Sequence, residues 1–295
     1  MNNWQHQMAM TYYRMMKGIR SKVELDPTQI RSYMDIVATL ALPSIGFDVL
    51  NENIGGVDIE TVKHKSSEKG KILFFIHGGA FAFGSAKTHR PAACFLSKRI
   101  QSTVYLPQYR TTPEYHFPVP LEDCIEAWKG VVEKHPDEEV FLIGDSAGGN
   151  LSAALTMYCR DNGLKIPSKL VLLSPWLDLN EDSASCQINA HEESIFDRDD
   201  LQVYASHYLA GRSPKDPLIS PLRGEVESFP KTMIQVAKNE LLYHDSINFD
   251  KKLKAAAVET ELDEEDALFH SWQLVPDYLP AAKKSLEKVA RFLNS

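Results

Sequence analysis

A serine set between glycines, a histidine trailed by two glycines and a late histidine among aromatics are the groups of this chain suited to acyl-transfer chemistry. In "FLIGDSAGGN" (141–150) an apolar run ends at Gly144, Asp145, Ser146, Ala147 and Gly148. A serine hydroxyl is a weak nucleophile until it is presented openly and served by a base. Flanking glycines allow the sharp strand-to-helix turn that presents it, because a side chain there would strike neighbouring backbone. The same turn aims the Ala147 amide, at a helix start, toward developing negative charge. By composition alone the glycine–serine–glycine spacing recurs in about one chain in ten of this length, so context must decide. The competing use of a glycine loop, phosphate binding, lacks the Gly-Lys-Ser/Thr ending it needs.

That context is upstream and downstream. The run 71–76 ends in "HGGAF", residues 77–81. Successive glycines after a strand let backbone approach a ligand, so Gly78 and Gly79 are expected to donate their amides to an oxyanion together with Ala147. His77 is expected to shape that loop by hydrogen bonding. It is not the base, because in this architecture the order along the chain is serine, acid, histidine. Of ten histidines, only His191, His207, His244 and His270 follow Ser146. His270, in "DALFHSWQL", falls on a loop between the last strand and the last helix and is the expected base. Three carboxylates compete to orient it: Glu240 just beyond the run 232–236, Asp245 in the helix after it, and Asp178 beyond the run 170–173. Asp145 is expected to point away from the site, and Glu264, Glu265 and Asp266 form a solvated acidic loop.

The elements that must position these groups alternate. Apolar, β-branched runs at 71–76, 103–107, 140–143, 170–173, 232–236 and 258–262 read as strands. Between and after them, apolar spacings of three and four at 91–100, 121–135, 151–160, 244–257 and 280–293 read as helices. This alternation implies an α/β fold with a mostly parallel sheet, helices on both faces, and a site at the carboxyl ends of the strands. Residues 1 to about 45 (two helices, near 7–23 and 28–41) and 183 to 221 (one helix near 199–209) fall outside it; on one domain of 295 residues they read either as helices packing on the core or as a helical cap over the crevice.

Composition narrows the function classes. A net charge of −8 with no basic tract argues against nucleic acid and anionic membranes as partners. "MNNWQHQMAMTYYRMMKGIR" is interrupted by Arg14 and Lys17, which does not suit a signal peptide or a membrane span. The four cysteines, Cys94, Cys124, Cys159 and Cys186, form no close pair and read as buried thiols of a cytoplasmic protein. No His or Cys cluster has metal-ligand spacing, so neither metal nor cofactor is expected.

Together these segments resemble the bacterial hormone-sensitive-lipase-like esterases of the α/β-hydrolase fold. The resemblance runs through "HGGAF", "YRTTPEYHFPVPLED" (109–123), "GDSAGGN" (144–150), "SPWLDL" (174–179), "DPLISPL" (216–222), "NELLYHDS" (239–246) and "FHSW" (269–272). It implies Glu240 as the acid, with Asp178 and Asp245 in support. It also implies that Tyr109, Arg110, Pro113 and Glu114 brace the oxyanion loop, and that the cap is real. Two departures stand out: Ala80 replaces a third glycine, and Thr111-Thr112 replaces Leu-Ala. The implied activity is a serine carboxylesterase acting on short acyl esters. An amidase or formamide hydrolase on the same triad is the alternative, and a non-catalytic receptor would be expected to have lost a triad member. Pairing through the last strand into a homodimer is a further expectation by analogy.

Overall fold

Strand β3 shows how the sequence builds the core. In "KILFFI" (Lys71–Ile76) every residue after the first is buried, and successive side chains alternate between two hydrophobic cores. Ile72, Phe74 and Ile76 enter one; Leu73 and Phe75 enter the other. A strand covered on both faces has no need of polar alternation, hence the unbroken apolar run.

The computed structural model describes residues 27–40, 45–67, 70–180, 189 and 196–295. In chain order these form α1 (Pro27–Leu40), β1 (Phe47–Ile54), β2 (Val57–His64), β3, α2 (Ala86–Ile100), β4 (Thr103–Pro107), α3 (Val119–Lys134) and β5 (Glu139–Asp145). They continue with α4 (Ala147–Asp161), β6 (Lys169–Leu173), α5 (Arg198–Leu209), β7 (Lys231–Ala237), α6 (Tyr243–Ala255), β8 (Thr260–Glu265) and α7 (Pro280–Asn294). One sheet of eight strands runs β1-β2-β4-β3-β5-β6-β7-β8. From β4 to β8 neighbouring strands are parallel, whereas β2 pairs antiparallel with both β1 and β4. Helices α2 and α7 cover one face through Ala92, Ala93, Leu96, Leu286, Val289 and Leu293. Helices α3, α4 and α6 cover the other through Leu121, Trp128, Leu151, Leu155 and Phe249.

The expected parallel α/β architecture is present, and the six expected strands all exist, the last shifted two residues later than its apolar run. The hairpin β1–β2 was not expected. Its first strand is half-exposed at alternate positions, so it offers no apolar run. The missed signal was Gly55-Gly56, both at positive φ (63° and 82°), between two alternating segments; this is the backbone a two-residue hairpin turn requires.

Of the cap, α1 and α5 lie where helices were expected; the helix expected near 7–23 lies outside the described residues. Cys124 and Cys159 are buried free thiols, Cys94 is half-buried, and Cys186 lies outside the described residues. Among the described residues no helix is long and apolar enough to cross a membrane.

Candidate active site

Strand β5 ends and α4 begins at Ser146, with φ 52° and ψ −121°. A non-glycine residue held at positive φ is strained and must be fixed by its surroundings. Here Ser146 N donates to Leu173 O at 2.9 Å, and Trp176 N and Asn150 N donate to Ser146 O at 3.0 and 3.2 Å. The hydroxyl is not used to cap α4. Gly144 and Gly148 are sterically required: a Cβ on the first would lie 2.2 Å from Gly148 O, and on the second 2.2 Å from Ile76 O. The elbow therefore packs directly against the end of β3.

His270 follows β8 on a loop, and its Nδ1 donates to Glu240 Oε2 at 2.7 Å. Both side chains are buried. The other oxygen of Glu240 accepts from Ser174 Oγ and Ala237 N, each at 2.8 Å. Three donors satisfy the buried carboxylate, and its bond to Nδ1 selects the His270 tautomer whose Nε2 can accept a proton. The two other carboxylates expected as candidates are engaged elsewhere. Asp245 Oδ2 accepts from Leu177 N and Asp178 N (2.8 and 3.0 Å), holding the "SPWLDL" loop. Asp178 pairs with Arg223 at 2.9 Å and accepts from Asn180 N. Of the three, Glu240 alone is hydrogen-bonded to His270.

The oxyanion loop departs from expectation at one position. The Gly78 amide donates to Asp145 Oδ1 at 2.9 Å and so is not available to an oxyanion. It was assigned to the wrong partner because Asp145, pointing away from the crevice as expected, reaches underneath this loop. A Cβ on Gly78 would come within 2.4 Å of Asp145 Oδ2, which explains the glycine. The next amides, of Gly79 (φ 115°) and Ala80 (φ 53°), have no hydrogen-bond acceptor among the described residues, nor has that of Ala147. Ala80 thus takes the left-handed backbone that a third glycine would adopt more readily.

His77 shapes the loop as expected. Its ring stacks on Tyr109 (centroids 4.2 Å apart, 15° between planes), and its carbonyl accepts from Tyr109 Oη at 2.8 Å. Burial, and then the neighbouring His89, push its pKa down to about 3, so it is neutral. Thr112 N and Thr112 Oγ1 both donate to Phe81 O (2.8 and 3.3 Å), so the departure Thr111-Thr112 adds a bond to the brace. Arg110 is held by Asp123, and Glu114 by Arg31 of α1.

A family model of the alpha/beta hydrolase fold matches residues 73–274, spanning the elbow, the oxyanion loop and the Glu240–His270 pair. The chain belongs to that family. It is similar to an acetyl-hydrolase of Streptomyces hygroscopicus, 32% identical over 264 residues, covering 85% of this chain and 88% of the relative. An esterase of Acinetobacter venetianus is 30% identical over 277 residues, covering 93% and 91%. A solved esterase from the bacterial hormone-sensitive lipase family superposes with a TM-score of 0.91 at 26% identity, covering 98% of this chain and 97% of that one.

In this hydrolase, residues of the segment between β6 and β7 reach the Glu240–His270 pair. Asn189 Nδ2 donates to Glu240 O and Lys238 O (2.7 and 2.8 Å), and Phe196 lies edge-on to His270 with centroids 5.3 Å apart. Tyr208 of α5 stacks on Phe81 (3.8 Å, 9°), and Phe81 leans on Trp176 at 5.7 Å. All three rings are buried. Sequence reasoning missed His89, Ser174, Asn150 and Ser271. His89 Nε2 donates to Asp145 Oδ1 at 2.9 Å; Ser271 Oγ donates to Asp145 Oδ2 at 3.2 Å; Asn150 Nδ2 donates to Trp176 O at 2.8 Å. None has a local sequence signature. Each acts on a partner that only the folded sheet brings near.

Proposed function

We propose that this hydrolase is a serine carboxylesterase that cleaves short-chain acyl esters through an acyl-enzyme on Ser146. The observation that supports it most directly is the buried 2.7 Å His270–Glu240 bond, on a loop tied by Ser271 to Asp145, the residue preceding the strained serine. On this reading Ser146 Oγ attacks the ester carbonyl while His270 Nε2 takes its proton. Glu240 stabilises the imidazolium that forms, and the amides of Gly79, Ala80 and Ala147 receive the oxyanion. His270 then protonates the leaving alcohol, and water repeats the sequence to release the acid. Trp176, whose N–H donates to Ser146 O, and the Phe81 ring that leans on it support small acyl groups. The free thiols of Cys124 and Cys159 support the cytoplasm as its compartment.

The test is a series of p-nitrophenyl esters from acetate to laurate with matched p-nitroanilides, Ser146→Ala serving as the blank. Turnover should be highest on the shortest esters and absent in Ser146→Ala, with the anilides much slower. Near-wild-type turnover in Ser146→Ala would remove the nucleophile assignment, and faster anilide cleavage would make the chain an amidase.

A further inference from the structure

Behind Ser146 lies a second buried carboxylate–imidazole pair, Asp145–His89, that the mechanism above does not use. Asp145 is the chain neighbour of the nucleophile, and its side chain is 3% exposed. One oxygen accepts from the Gly78 amide and from His89 Nε2, both at 2.9 Å, and the other accepts from Ser271 Oγ at 3.2 Å. Gly78 immediately precedes the oxyanion amides, and Ser271 immediately follows the base. A single carboxylate thus clamps the oxyanion loop and the histidine loop on the two sides of the nucleophile.

His89 is built to hold that carboxylate still. It sits inside α2, and its other ring nitrogen lies 3.0 Å from Ser85 O and 2.9 Å from Thr88 Oγ1. Ser85 and Thr88 form the capping box of that helix. The ring is further packed edge-on against Phe75 at 5.5 Å. His89 is therefore fixed by a capped helix, by the core and by both nitrogens, and it presents one donor to a carboxylate that solvent does not reach.

We propose that His89 is a positioning residue for catalysis, acting through Asp145 to hold the oxyanion loop and the His270 loop in register around Ser146. This rests on the esterase reading of the site. The physical expectation is a loss in turnover and not in binding, since the contacts it fixes matter most in the transition state. A displacement of about 1 Å in such groups costs on the order of 10²-fold.

The experiment compares His89→Leu, His89→Gln and His89→Asn on a short p-nitrophenyl ester, with kcat, KM and Tm measured for each and Ser146→Ala alongside. Glutamine places an amide near the position of Nε2, whereas asparagine falls short of Asp145. His89→Leu and His89→Asn should each lose on the order of 10²-fold in kcat with KM within about two-fold, and His89→Gln should recover at least about ten-fold of that. If His89→Leu does not fold, the Gln–Asn contrast decides alone. Equal kcat in the Gln and Asn variants, or wild-type kcat in a folded His89→Leu, would overturn the assignment. Wild-type protein that is inactive on every ester, or Ser146→Ala that stays active, would instead break the esterase reading. The control separates the two failures.

Discussion

Two acid–imidazole pairs flank Ser146, and they are alike in length and burial but opposite in setting. Glu240–His270 spans 2.7 Å and Asp145–His89 spans 2.9 Å, and all four side chains are nearly inaccessible. His270 is on a loop and its ring meets Phe196 edge-on, whereas His89 is inside a capped helix with its second nitrogen held between a carbonyl and a hydroxyl. A base must exchange protons with its surroundings; a brace must not move. The same two functional groups serve either purpose, and the second ring nitrogen decides which. Burial disfavours the Asp145 carboxylate, yet the charge and hydrogen bond of His89 outweigh it and hold its pKa below the usual carboxylate value.

The largest effect should come from the catalytic pair. Glu240→Ala is expected to lower kcat by about 10⁴-fold, by analogy with removing the acid of a triad, while Asp178→Ala leaves kcat on a short ester unchanged. The reverse order would transfer the acid role to Asp178. Loss through the bracing pair should be smaller, at the level given above for His89→Leu, and a loss equal to that of Glu240→Ala would erase the distinction between base and brace.

Gly78→Ala sharpens the comparison from the loop side. The added Cβ would press on Asp145 at 2.4 Å, so the clamp must open without either imidazole being touched. We expect a fall of about ten-fold in kcat, as for a sub-ångström displacement, together with a lower Tm. Full activity in Gly78→Ala would show that the clamp does not control the oxyanion amides.

The smallest effect concerns His77, which stacks on Tyr109 and hydrogen-bonds a carbonyl, not a carboxylate. Its pKa of about 3 in the fold compares with about 6.5 for a free imidazole, so the unfolded chain takes up a proton that the folded one refuses. The stability this site contributes is complete above pH 6.5 and declines as the pH falls from there toward 3. Asp145, with its lowered pKa, contributes above the ordinary carboxylate range and so adds little slope between pH 4.5 and 6.5. Tm measured across that window should fall with acid in the wild type and fall less steeply in His77→Gln. Parallel curves would mean that His77 is protonated in the fold.

The residues legible in the sequence were those whose chemistry is tied to a strand end. Ser146 announces itself because glycines must flank a strained turn, and His270 because few histidines follow the elbow and only one lies between the last strand and the last helix. Hairpin β1–β2 was overlooked because its first strand is half-exposed and its face is shared with solvent. Glu240 and Asp178 lie just past a strand and Asp245 in the helix that follows, and local sequence cannot tell which carboxylate turns toward His270.

What the sequence by itself determined, then, is the order of elements and the placing of Ser146 and His270 at strand ends, because these follow from local backbone sterics and from chain order. The family resemblance singled out Glu240, and only the tertiary structure showed its bond to His270, the bond of the Gly78 amide to Asp145 and the partnership of His89 with Asp145. Those choices depend on side chains up to 126 residues apart meeting at the ends of β3, β5 and β8. Hydrogen-bond direction at such a meeting is set by sheet order and loop packing, which no local pattern encodes.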